Sequence, residues 1–146
     1  MLETLNLMGA IAAYVIYISS ILTFLSRLIG RDKLGQAFGY ALLLMGFPLA
    51  YLFYKGPMLG RSVLYYIQTG LMLAWILVCL FLDYLYKVEF RQNRPAVIAY
   101  VVLFFAGTGG MLGVTALAGR VWLIPAVVLF LIMAVLAFVQ RAVTGK

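Results

Sequence analysis

The sequence lacks histidine entirely and has one cysteine among its 146 residues. Without histidine, the chain has no haem held by imidazole, no histidine-based zinc site and no catalytic pair with a histidine base. A cysteine-based zinc or iron–sulfur site needs several thiolates, so we expect Cys79 to be a small packing residue. We therefore expect no metal and no cofactor.

Acidic residues are also few, and they are scattered: Glu3, Asp32, Asp83 and Glu89. An enzyme needs a nucleophile, an acid–base pair or a metal site. Phosphoryl transfer on lipids would in addition require acidic clusters that bind magnesium. Neither pattern is present, so the sequence predicts a protein that is not an enzyme.

Charge of either sign is scarce, since charged residues make up 10% of the chain and hydrophobic residues 66%. This composition lies outside the usual range of soluble globular proteins. The net charge is +7, but the basic residues flank apolar runs, as expected for membrane orientation rather than nucleic-acid binding. We expect membrane lipids as partners, no nucleic acid, and a multi-pass location in a cell membrane. The short loops favour a prokaryotic cytoplasmic membrane.

Long apolar runs are what the sequence has in abundance. An α-helix needs about 20 apolar residues to cross a bilayer. The runs predict an all-α integral membrane protein, a single domain in which five transmembrane helices form a bundle, at residues 5–28, 34–54, 63–86, 95–117 and 121–140. The last two are separated only by a short turn, where Gly119 supplies backbone freedom. Pro48 and Pro125 lie inside the second and fifth helices and predict bends there.

The distribution of lysine and arginine predicts the orientation of the bundle. The first and third loops and the C-terminus hold eight basic residues, against three in the N-terminus and the other two loops. Because basic residues accumulate on the cytoplasmic side, the N-terminus is expected outside and the C-terminus in the cytoplasm.

Small residues predict where the helices approach one another, since close packing drives helix association in a bilayer. At about 100° per residue, the members of each stripe fall near one face of their helix. The predicted packing residues are Gly9, Ala13 and Ser20 on the first helix, Gly35, Gly39 and Gly46 on the second, and Ala106, Gly110 and Gly113 on the fourth.

The glycine cluster of the fourth helix has two interpretations. Gly109 and Gly113 have the small-xxx-small spacing that is typical of closely packed membrane helices, within a monomer or a dimer. Alternatively, the cluster loosens the helix, and free carbonyl groups line a cavity for an ion or a ligand.

Asp83 follows more than twenty uncharged residues, and Lys87 lies four positions later, the spacing of an ion pair along a helix. The pair either ends the third span as an interfacial salt bridge or contacts an ion or substrate at the cytoplasmic end. The candidate ligand or ion path therefore comprises Asp83, Lys87, Gln68, Thr108, Gly109 and Gly110.

The segment that joins the third and fourth helices carries Lys87, Arg91 and Arg94 between aromatic side chains. These basic residues are expected to attract anionic lipid head groups or to dock a partner protein.

These observations predict a non-catalytic membrane protein that is either an accessory subunit of a larger membrane complex or a binder of a lipid-like ligand. The alternative is a small homo-oligomeric transporter or channel whose path lies near Asp83 and the glycines of the fourth helix. Expected partners are membrane lipids, other membrane subunits or further copies of the chain.

Overall fold

The structure is a computed structural model that describes residues 2–55, 63–81 and 94–144, and every regular element within these ranges is helical. The prediction of an all-helical bundle is therefore confirmed for this part of the chain. The helices are α1 (Leu2–Leu28), α2 (Asp32–Leu44), α3 (Gly46–Lys55), α4 (Val63–Cys79), α5 (Arg94–Ala116) and α6 (Arg120–Thr144).

Four helical stretches of the described residues are long and apolar enough to cross a membrane: Thr4–Leu28, Lys33–Lys55, Arg94–Ala116 and Arg120–Val143. The described part of the third predicted span, α4, is apolar but has only 17 residues. Leu80 and Phe81 follow it in a π-helical turn. The rest of that predicted span, from residue 82 to 86, lies outside the described residues.

The second predicted helix is interrupted at Met45, which separates α2 from α3. The Met45 amide donates to the Leu42 carbonyl at 3.1 Å, a tighter turn than the α-helix makes. Pro48 explains the break, because it has no N–H for the Leu44 carbonyl and its ring crowds that group. Pro125, by contrast, lies near the start of α6 without ending it.

Two glycines with positive φ allow the chain to reverse between neighbouring helices. Gly30 (φ 78°) follows α1, and Gly119 (φ 121°) joins α5 to α6. After α1 the Arg31 amide donates to the Ser26 carbonyl at 2.8 Å and the Gly30 amide to the Arg27 carbonyl at 3.2 Å. This is the Schellman arrangement, which needs a left-handed residue such as glycine after the helix.

Helix α1 is central, with contacts to α2, α3, α5 and α6, while α4 packs against α5 and α3. The largest fully buried side chains come from five of the helices: Ile16, Tyr17, Leu49, Leu52, Met72, Met111 and Met133. Large apolar side chains also cover the outside of the bundle, and on α6 they include Val121, Val128, Leu131, Val135, Phe138 and Val143. An apolar exterior of this extent is compatible with a multi-pass membrane protein.

Candidate functional site

A cavity of about 320 Å³ lies in one half of the bundle, within the range of about 300–1,000 Å³ that ligand pockets occupy. Its residues come from the C-terminal parts of α1, α4 and α6, from α2 and from the N-terminal part of α5. These parts lie at the same end of the bundle. We call this region the cavity half, defined by residues 20–27, 75–79, 97–105 and 137–141.

Aromatic rings form much of the cavity wall. The Trp75 ring lies 4.8 Å from that of Phe104 and 5.8 Å from that of Tyr100, between ring centres. Phe24 meets Phe104 edge to face at 6.0 Å. Contacts of this kind are favourable between aromatic rings and fix their positions, so the apolar wall is formed without a ligand.

Two polar atoms on this wall have no hydrogen-bond partner within the described part of the chain: Ser20 Oγ and Trp75 Nε1. Both side chains are buried, with exposed fractions of 3% and 5%. A buried polar group without a partner costs about 1–3 kcal/mol. Both groups can donate a hydrogen bond, and the indole N–H can only donate. Because both residues belong to the lining of the cavity, two unpartnered donors lie next to it.

Ser20 differs in this respect from the neighbouring hydroxyl groups of α1. Thr23 Oγ1 donates to the Ser19 carbonyl at 2.8 Å, and Ser26 Oγ donates to the Leu22 carbonyl at 2.7 Å. Those bonds return to the preceding turn of the same helix, which is the usual solution for a hydroxyl group inside a helix. The free Ser20 hydroxyl is thus a local exception that coincides with the cavity.

Two arginines and a buried amide lie at the end of the cavity nearest the helix termini. Arg27 is in the last turn of α1 and Arg141 in the last turn of α6. Both line the cavity, as does Gln140, whose exposed fraction is 2%. Arg141 is exposed and Arg27 half-buried, so the cationic end of the cavity meets the surface.

The cavity opens on the side between α5 and α6. Ile98 and Val102 of α5 and Phe138 of α6 all line it and are all exposed. The rings of Phe105 and Phe138 stack across this opening, 5.6 Å apart and 12° from parallel. The opening is thus apolar, and an aromatic pair narrows it.

The other half of the bundle is closely packed, and tyrosines bond α1 to its neighbours. Tyr17 donates its hydroxyl to the Thr108 carbonyl of α5 at 2.5 Å. One turn earlier, Tyr14 donates to the Trp122 carbonyl of α6. We call this region the packed half, defined by residues 9–17, 65–72, 107–114 and 122–126.

Glycines of α5 form the contact with α4 in the packed half. A Cβ atom would lie 3.0 Å from Met72 Cα if added at Gly107, and 3.2 Å from Gln68 Cα if added at Gly110. At Gly113 it would lie 2.1 Å from Gln68 Nε2. The three glycines are spaced by three residues, so they follow one of the ridges along which helices pack.

This contact differs in part from the predicted one. Gly110 and Gly113 belong to it, whereas Ala106 is exposed and Gly107, which was not among the predicted packing residues, takes part. A Cβ atom at Gly109 would have the Phe130 ring of α6 as its nearest neighbour, at 3.9 Å. Gly109 and Gly113 therefore face different helices, and their small-xxx-small spacing does not describe one interface.

The two stripes of the first and second helices divide between the halves. Gly9 and Ala13 are buried in the packed half, where a Cβ atom at Gly9 would lie 2.8 Å from Val114 Cγ1. A Cβ atom at Gly46 would lie 3.5 Å from Ile76 Cγ2 of α4, and one at Gly35 would lie 3.5 Å from the Thr23 carbonyl oxygen of α1. The remaining members, Ser20 and Gly39, line the cavity.

The described members of the predicted ligand or ion path do not line the cavity. Gln68, Thr108, Gly109 and Gly110 are all absent from its described lining. Thr108 Oγ1 donates to the Phe104 carbonyl at 2.8 Å, and α5 continues as one helix through the glycine cluster. This arrangement fits the packing interpretation of the cluster.

The polar segment after α4 stays largely a prediction. Asp83, Lys87 and Arg91 lie outside the described residues, so their ion pair and their docking role are untested. Arg94 is the first residue of α5, and its side chain is exposed.

Four residues of the cavity wall were not among the predicted site residues: Trp75, Arg27, Arg141 and Gln140. Trp75 carried a usable signal, because tryptophan favours the membrane interface and needs a partner for its N–H when buried. Trp75 is the thirteenth residue of α4, away from the helix ends where an interfacial tryptophan is expected. The two arginines were assigned only to orientation, and no sequence pattern brings them together.

The described residues contain no group of three histidine, cysteine or acidic side chains that could hold a metal ion. What the cavity offers is an apolar volume, two unpartnered donors and a cationic end. No family model, curated protein or solved structure matches this chain.

Proposed function

We propose that this chain is a multi-pass membrane protein that binds a lipid-like ligand in the cavity half. The observation that carries the proposal is the pair of buried, unpartnered donors, Ser20 Oγ and Trp75 Nε1, on residues that line a largely apolar cavity. After a small rotation of these side chains, an amphiphile with an oxygen acceptor satisfies the donors while its apolar body fills the remaining volume.

Water is the alternative occupant of the cavity, and the composition of the cavity wall argues against water alone. An ordered buried water makes about three hydrogen bonds, and the aliphatic and aromatic part of this wall offers water none. Most of the wall is aliphatic or aromatic, for example Leu42, Val101 and Phe104. Water near Ser20 leaves that wall without contacts, whereas an acyl or isoprenoid chain gains burial along all of it.

The opening of the cavity supports a ligand that arrives from the bilayer. Exposed Ile98, Val102 and Phe138 surround the gap between α5 and α6. In a membrane these side chains face hydrocarbon, so an apolar ligand reaches the cavity without crossing water. With the predicted orientation, the cavity lies in the cytoplasmic half of the bilayer.

Native mass spectrometry of the protein released in a mild detergent tests the proposal. We expect one small molecule bound per chain, and we expect Ala137→Trp to abolish its retention because Ala137 lines the cavity. Ala142→Trp is the matched control, since Ala142 is exposed one turn later on the same helix and does not line the cavity. Circular dichroism and size-exclusion profiles establish that both variants are folded.

Other outcomes contradict the proposal. A mass that is retained equally by both variants places the ligand outside the cavity. A stoichiometric foreign subunit without a small molecule supports the accessory role, and a bare homo-oligomer supports the transporter alternative.

A further inference from the structure

The cationic end of the cavity has a consequence for the chemistry of the ligand, and this inference rests on the proposed function. Arg27 and Arg141 come from two different helices, separated by more than a hundred residues in sequence, and they line the same cavity. From this juxtaposition we propose that the ligand is an anionic single-chain amphiphile. Its phosphate or carboxylate group lies between the two guanidinium groups, and its chain runs inward toward Ser20 and Trp75.

The distances along α1 fit such a molecule. Ser20 and Arg27 both line the cavity and are seven residues apart, which is about 10.5 Å along a helix axis. The unpartnered Ser20 hydroxyl therefore lies about two turns deeper than the arginine. A monoacyl ester of glycerol phosphate matches this order, with its charge at the arginine end, its ester carbonyl near Ser20, and an acyl chain that continues through the apolar opening between α5 and α6.

The charge of the sequence at the predicted cytoplasmic end supports an anion. The first and third loops and the C-terminus contain eight basic residues, against three acidic residues in those loops or next to them, Asp32, Asp83 and Glu89. In the sequence these segments therefore have an excess of five basic residues. Guanidinium groups bind phosphate and carboxylate through paired hydrogen bonds, and they do so more strongly than they bind neutral oxygen.

A simpler role for the two arginines is orientation of the bundle, because basic residues favour the cytoplasmic side and the C-terminal ends of helices. That role accounts for their positions near helix ends. It does not require that both line one cavity together with buried Gln140. The orienting role predicts no preference between charged and neutral ligands, whereas the binding role predicts a preference for anionic ligands.

Quenching of Trp75 fluorescence by brominated acyl chains measures occupancy of the cavity directly. The protein is reconstituted in phosphatidylcholine nanodiscs and carries Trp122→Phe, which leaves Trp75 as the only tryptophan. Trp75 is 5% exposed, so chains on the outside of the bundle make little contact with its ring. The two probes are a dibromostearoyl glycerol phosphate and the dibromostearoyl glycerol that lacks the phosphate.

We expect the phosphate-bearing probe to bind about tenfold more tightly than the neutral probe, as a charge-assisted hydrogen bond allows. The double variant Arg27→Gln with Arg141→Gln is expected to remove this preference, so that both probes bind with the same affinity. Arg120→Gln is the matched control, because Arg120 is exposed at the opposite end of α6 and does not line the cavity. It should keep the full preference.

Equal binding of the two probes overturns this inference but leaves the proposed function in place. A preference for the phosphate-bearing probe that survives in the double variant has the same two consequences. No quenching by either probe overturns the inference and the proposed function together. Competition by inorganic phosphate as strong as that by the lipid also overturns the inference, because it shows a site for the free anion.

Discussion

The packed half and the cavity half are built on the same helices but use their residues in opposite ways. In the packed half, three glycines of α5 bring its backbone against α4, and Tyr17 bonds to the Thr108 carbonyl. In the cavity half, Trp75 of α4 contacts the rings of Tyr100 and Phe104 of α5. Small residues allow helix backbones to approach closely, whereas large rings place side chains between them. The change of residue size along α5 therefore coincides with the change from close packing to a cavity wall.

The two halves also differ in how their polar groups are satisfied. In the packed half, the hydroxyl groups of Thr69 and Thr108 donate to a carbonyl four residues earlier in their own helix, each at 2.8 Å. In the cavity half, Ser20 Oγ and Trp75 Nε1 have no partner in the described part of the chain. Close contact between helix backbones characterises one half, and incomplete hydrogen bonding the other. We expect stability to depend mainly on the first and ligand binding on the second.

The largest effect on the free energy of unfolding is expected where an added methyl group forces two helix backbones apart. Gly107→Ala places its Cβ 3.0 Å from Met72 Cα, whereas Gly109→Ala places it 3.9 Å from the edge of the Phe130 ring. Both changes gain the same helix propensity, so the difference between them measures packing alone. We expect Gly107→Ala to be less stable than Gly109→Ala by about 1–3 kcal/mol.

Unfolding by sodium dodecyl sulfate in mixed micelles measures this difference in the free energy of unfolding. Equal stability of the two variants would show that α4 and α5 are not in close contact at Gly107, and the distinction between the halves would then be lost.

A smaller effect is expected when the packed half loses one bond between helices. Tyr17→Phe removes the hydroxyl that donates to the Thr108 carbonyl and keeps the ring. Because hydrogen bonds between membrane helices contribute little, we expect the free energy of unfolding to fall by about 1 kcal/mol. Tyr54→Phe is the control, since Tyr54 is exposed on α3, and it should leave the unfolding curve unchanged. A Tyr17→Phe protein as stable as the parent shows that the bond does not stabilise α1 against α5.

The smallest effect on the free energy of unfolding, a gain rather than a loss, is expected in the cavity half. Ser20→Ala removes a buried hydroxyl that has no partner, so the ligand-free protein should gain up to about 1 kcal/mol of stability. Ser26→Ala is the matched control on the same helix, because it deletes a hydroxyl that donates to the Leu22 carbonyl and should not stabilise.

Ser20→Ala should at the same time retain less of the native ligand, measured by native mass spectrometry after release from the membrane. A variant that loses stability without ligand shows that Ser20 has a partner in the empty protein, and the contrast with the packed half then weakens.

Much of the fold was predictable because apolar run length and helix termination are local properties. The described helix ends lie within four residues of the predicted ones, apart from α4, and Gly119 adopts the positive φ expected of the turn between α5 and α6. The break at Met45 was only partly predictable. Pro48 signalled a bend, but the position of the interruption depends on the preceding carbonyl groups.

The candidate site was largely unpredictable because its residues are distant in sequence. Ser20 was expected to pack against a helix. A small residue in an apolar run gives no sign of whether it faces another helix or a cavity, so the position of Ser20 on the cavity wall was not predictable. Trp75 becomes informative only when its burial and its unpartnered N–H are known, and Gln140 only when its burial is known. Similarly, the spacing of Gly109 and Gly113 suggested one interface, whereas the arrangement of α4 and α6 around α5 assigned them to two.

By itself, the sequence determined the helical class, most helix boundaries, the apolar exterior and the absence of histidine chemistry, because these depend on composition and on neighbours within a few residues. Only the tertiary structure decided which small residues close an interface and which face a cavity. It alone placed Arg27 and Arg141 on the wall of one cavity and left Ser20 Oγ and Trp75 Nε1 without partners in the described residues. The physical reason is that cavities and unpaired donors are properties of the space between helices, which no single stretch of chain specifies.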